Sequence, residues 1–93
     1  MKAIQRVIYL DKIEDFDAQN IGCHWTTNLG YIHHGGGQYG VSKIESKIKV
    51  TLIAKLNGVL VNQEATQLSN SEYPKECEVV LCENQTVEYN MHI

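Results

Sequence analysis

Arginine and proline are nearly missing from this sequence: Arg6 is the only arginine among eight basic residues, and Pro74 is the only proline. No apolar run approaches the ~18 residues of a membrane span. The opening Met1-Lys2-Ala3-Ile4-Gln5-Arg6 has none of the apolar core of an export signal. Without export, the three cysteines, Cys23, Cys77 and Cys82, are expected as reduced thiols of a cytoplasmic protein, and the Asn84-Gln85-Thr86 sequon as chance. Excess positive charge is missing too. A net charge of −3 and a pI near 5.7 exclude a nucleic-acid binder that works by neutralising phosphates. There is no G-x-x-x-x-G-K-S/T, no C-x-x-C and no H-E-x-x-H, which removes the familiar P-loop, redox and zinc-protease sites.

What is present describes one domain over residues 1–93, with 43% hydrophobic and 20% charged residues. A chain this short buries about 60–65% of the surface its unfolded form exposes, enough for one core.

Residues 3–10 (Ala-Ile-Gln-Arg-Val-Ile-Tyr-Leu) are β-branched and aromatic and predict a strand that carries Arg6. Asp11 with Glu14 forms a capping box, and Ile13 and Phe16 give one apolar stripe. Residues 11–19 therefore predict a two-turn helix, ended by Asn20 and Gly22. Residues 21–27 predict a short strand, and the glycine-rich stretch 31–40 a loop. In residues 46–56, Ile48, Val50, Leu52 and Ala54 alternate with Lys47, Lys49, Thr51 and Lys55, the pattern of a half-buried strand. Its lysine face reads as solvated, with docking as the alternative.

Asn57-Gly58 predicts a hairpin, with Val59-Leu60-Val61 returning. Residues 63–73 are polar and predict loop or at most one helical turn, closed by Pro74. Residues 78–81 and 86–93 predict two last strands around a turn at Glu83-Asn84. The expected class is α+β, mostly β: a small, mainly antiparallel split sheet of roughly six strands with one short N-terminal helix.

Cys23-His24 and His33-His34 hold metal-ligand residue types, but neither pair has finger spacing, and neighbours on a strand face opposite ways. No metal is expected. Glu76-Cys77-Glu78, after Tyr73-Pro74, is different: on an extended chain both carboxylates share one face, with Cα atoms ~6.5–7 Å apart.

Taken in order, an early strand with the sole arginine, then His24-Trp25-Thr26-Thr27, then Glu76-Cys77-Glu78, resemble the ADP-ribosyltransferase fold of the arginine, serine/threonine, E-x-E class. His24 stands where that class has a hydroxyl, so the chain would be a minimal or degenerate member. The resemblance implies NAD as substrate, with Arg6, His24, Trp25, Thr26, Tyr31 and Tyr73 binding it. Glu78 would stabilise the oxocarbenium-like transition state, and Glu76 would orient or deprotonate the acceptor.

Three functions follow as expectations. The first is an NAD-dependent mono-ADP-ribosyltransferase acting on a protein side chain. The second is a non-enzymatic inhibitor module, of the kind phages and mobile elements direct at host proteins, docking through an exposed strand edge. The third is a small-ligand binder without turnover. The expected partner is a protein, not nucleic acid or membrane.

Overall fold

The β-branched run forms the middle strand of the sheet: β1, Ala3–Leu10. The computed structural model describes residues 2–29, 39–41 and 43–93. Among these, β1 is joined by β2 (His24–Thr26), β3 (Ile48–Lys55), β4 (Glu78–Val80) and β5 (Tyr89–His92). They form a single sheet in the order β4-β2-β1-β3-β5, rather than the expected split sheet. Every pairing is antiparallel. One helix, α1 (Gln63–Glu72), and 3-10 turns at Ile13–Asp15, Leu56–Gly58 and Pro74–Glu76 complete the described elements. The result is a small α+β domain, mostly antiparallel sheet with one helix.

Register sorts the side chains onto two faces, because successive residues of a strand point opposite ways. Ile4, Ile8 and Leu10 of β1 oppose Ala54, Val50 and Ile48 of β3. With Leu52, Trp25 and Val79 they make one apolar face, which is the core. Ile13 of a 3-10 turn and Phe16, Ile21, Val59 and Val87 of irregular segments pack onto it, so among the described residues turns and loops rather than α1 roof the core. The other face carries Gln5, Val7 and Tyr9 of β1, Thr26 of β2 and Glu78 of β4.

Several expectations are corrected. Residues 11–19 form only the 3-10 turn Ile13–Asp15, with no side-chain cap. Asp17 turns the chain instead: its carboxylate accepts from Gln19 N–H at 2.9 Å, and its carbonyl accepts from Asn20 N–H at 2.9 Å. Such local bonds compete with helix. The Tyr39 hydroxyl ties the turn, accepting from Asp17 N–H at 2.9 Å and facing the carbonyls of Asp17 at 3.0 Å and Asn20 at 2.9 Å.

Asn57-Gly58 makes no hairpin. Both sides of β3 are taken, by β1 and β5, so residues 59–61 have no place beside it. Val59 and Val61 turn onto the core, and Val61 bridges Leu81. Nor do the last two strands pair: β4 and β5 stand at opposite edges of the sheet. The segment expected to be loop, 63–73, is the ten-residue helix α1. The predicted glycine-rich loop lies mostly outside the described residues.

Candidate functional site

Arg6 opposes Leu52, which places it on the core face. Its Nε donates to the Ile21 carbonyl at 3.0 Å, and Nη1 donates to the His24 carbonyl at 3.0 Å. The planar fork thus holds the chain that enters β2, a geometry lysine's point charge cannot reproduce. Burial pulls the guanidinium below its ordinary pKa, while Cys23, Glu78 and Tyr39, in that order, oppose the shift.

On the opposite face, Thr26 lies between Gln5 and Glu78. Thr26 Oγ1 donates to the Glu76 carbonyl at 2.6 Å and accepts from Asn28 N–H at 3.0 Å. The Glu78 carboxylate, only 15% exposed, is shared by His24 Nδ1 and Ser69 Oγ. His24 itself is 65% exposed. The cluster orients Glu78 between β2 and α1.

The remaining predicted site residues scatter. Trp25 is 1% exposed and sits in the core, its indole N–H on the Gly22 carbonyl at 3.2 Å, so neither ring face is open to stack on a ligand. Tyr73 is exposed at the end of α1. Tyr31, His33 and His34 lie outside the described residues. Glu76 does not share an extended strand with Glu78, contrary to the alternation argument. Pro74 seeds the turn Pro74–Glu76, and Cys77 follows in the left-handed region at φ 47°, so β4 begins only at Glu78. Register sets Arg6 on the opposite face of the sheet from Thr26 and Glu78, though the Glu78 carboxylate still acts on its guanidinium electrostatically.

Two of the clefts among the described residues lie elsewhere. One of about 640 Å³ is lined by Gln19, Cys23, Cys82, Glu83, Thr86 and Tyr89. Burial, then Glu83, pushes the Cys23 thiol above its ordinary pKa, with Arg6 opposing, so it stays protonated and weakly nucleophilic near neutrality. The other, of about 840 Å³, runs past Lys55, Val59, Glu88 and Asn90 beside β5. Neither is lined by Arg6, Thr26, Glu76 or Glu78.

The two edges of the sheet differ, and here the sequence reasoning missed the residues that matter. At the β4 edge, Val80 N–H donates to Thr66 Oγ1 at 2.9 Å. The Val80 carbonyl accepts from Asn62 N–H at 2.8 Å, and the Glu78 carbonyl from Asn70 Nδ2 at 2.9 Å. Asn62 also caps α1, accepting from Ala65 N–H at 3.1 Å. Asn62, Thr66, Ser69 and Asn70 recur at helical spacing, a polar stripe that was available as a signal.

At the other edge, β5 pairs with β3 alone, and among the described residues no further backbone partner meets it. On the core side β5 exposes Met91 at 44%, and Ile93 beyond it at 76%. Asn90 and His92 point to the other face.

No helix of the described residues is long and apolar enough to cross a membrane, and no group of three or more metal-ligating side chains occurs among them. No protein-family model, curated protein or solved structure matches the chain.

Proposed function

We propose that this chain is a non-enzymatic protein-binding module that takes an extended segment of its target as a new strand beside β5. One observation carries this reading: of the two sheet edges, the helix closes one through side-chain hydrogen bonds, and among the described residues no backbone partner meets the other. Natural sheets blunt exposed edges because unpaired N–H and C=O groups template further strands. A domain that closes one edge and keeps the other open is suited to strand addition. The setting we infer is the cytoplasm, where the three free thiols stay reduced.

The transferase reading keeps one support, the Glu78 carboxylate oriented by His24 and Ser69. That chemistry requires Arg6 and Glu78 on one ligand, and strand register sends the two side chains to opposite faces of the sheet; we therefore prefer docking. Nicotinamide release from NAD by the wild-type chain, abolished in Glu78→Gln, would reverse the preference.

The docking test places a photo-crosslinking residue at Met91, and separately at the exposed Leu68 of α1, in cells that make the protein. A discrete protein adduct is expected from position 91, absent from position 68, and lost when Asn90→Pro is added. No adduct from position 91, or equal adducts from both positions, overturns the proposal.

A further inference from the structure

Resting on the docking reading, we infer that the strand taken by β5 alternates apolar and acidic side chains, with its acidic side toward Lys49 and His92. The register sets the geometry. Thr51 pairs with His92 and Ile53 with Asn90, so on that face of β3 these two are flanked by Lys49 and Lys55. Both lysines are exposed, and neither forms an ion pair among the described residues. In a chain of net charge −3, this is a local surplus of positive charge beside the open edge.

A strand added to β5 lies ~9.6 Å from β3, two ladder spacings away. Residues of that strand opposite Asn90 and His92 project onto the lysine face. Glutamate there reaches toward a lysine that reaches back, and His92 lies directly between. Glu88 lines the same cleft as Lys55 and offsets part of its charge. The attraction is therefore strongest at the Lys49–His92 end. The alternate residues of the new strand fall on the other face, where Met91 is exposed, with the exposed Ile93 just beyond β5, and apolar side chains bury Met91. A second copy of this chain fits less well, because a β5–β5 pairing would bring the two positive patches together.

The test uses the full chain and three capped peptides of about eight residues: valine alternating with glutamate, with threonine, or with lysine. Affinity and backbone amide shifts are followed by NMR. Binding is expected to weaken in the order glutamate, threonine, lysine, with shifts centred on residues 89–93. The glutamate advantage should be about tenfold at about 50 mM salt and collapse at about 500 mM. Lys49→Gln should cost the glutamate peptide roughly threefold, more than Lys55→Gln does, and leave the threonine peptide unchanged.

Equal affinity for the glutamate and threonine peptides overturns the acidic preference while leaving docking intact. Failure of all three to bind, or shifts centred away from β5, overturns docking itself. Dimerisation of the free chain through β5, seen as a concentration-dependent mass, overturns the assigned partner.

Discussion

The β4 edge and the β5 edge belong to one sheet yet are finished in opposite ways. At β4 a helix with no buried residue is held by its polar side chains, which serve as surrogate strand partners. At β5 nothing among the described residues takes that part. The contrast teaches that closing an edge does not require apolar packing. Thr66 and Asn70 supply what a neighbouring backbone would, at the same spacing on each turn of helix. The open edge is short, flanked by lysines and partly apolar, and short length and flanking lysines are features that limit indiscriminate strand pairing.

The largest effect should come from opening the closed edge. Thr66→Val with Asn70→Leu leaves the Val80 N–H and the Glu78 carbonyl without their partners. Each unsatisfied group costs ~1–3 kcal/mol, so the double variant should lose about 2–6 kcal/mol in urea denaturation. It should also self-associate, read as a rising mass in light scattering. Wild-type stability in this variant would mean that α1 does not close β4.

Arg6 comes next, because its fork fixes the chain entering β2, the strand on which β4 hangs. Arg6→Lys keeps the charge and loses the paired geometry, at a cost of about 1–3 kcal/mol by chemical denaturation. The same variant separates the two roles of this residue. If it only positions β2, NAD raises the melting temperature of neither protein. A rise confined to the wild type would restore Arg6 as a ligand contact.

How much of this was legible depended on whether local pattern and tertiary context agreed. They agreed in β1, where a β-branched run gave the strand, and in β3, where strict alternation gave the strand and its core face. They disagreed in residues 11–19, where a capping box was present but the Asp17 side chain and the Tyr39 hydroxyl turned the chain. They disagreed again at Asn57-Gly58, because pairing with the distant Tyr89–His92 fills the place a hairpin would use. The helix α1 was hidden because its signature is polar, with Leu68 exposed. For the candidate site, sequence order brought Arg6, Thr26 and Glu78 together, and strand parity divided them. Parity depends on register, which no single strand encodes. Met91 and Ile93 were visible as alternation in the last residues, but not as the open edge, since edge position belongs to the whole sheet.

At β5 itself the expected stability effect is smaller. Met91→Lys places a charge on a residue already 44% exposed, so unfolding should change by about 0.5 kcal/mol or less. Docking should nonetheless fall by about tenfold or more, because the incoming strand would bury that charge. A variant equally damaged in stability and in peptide affinity would mean that β5 supports the fold rather than serving as a docking edge.

The smallest effect is the response to alkaline pH, and it sharpens the contrast between the two ends of the sheet. Burial raises the pKa of Tyr9, and burial with Glu83 raises that of Cys23, which precedes β2 on the closed side. Both are neutral when protonated, so the folded chain holds these protons more tightly than the unfolded chain does. Their contribution is whole below the ordinary values, 9.0 for the thiol and 10.0 for the phenol. It is lost as pH rises through the raised values of the folded state. The urea midpoint should therefore decline modestly from about pH 8 to about pH 10, chiefly through the thiol. Cys23→Ser should flatten that decline, and Tyr9→Phe should matter only at the upper end. Met91→Lys, at the open edge, should leave the slope of the wild type in place. A slope that survives Cys23→Ser would assign the alkaline loss to groups outside the closed side of the sheet.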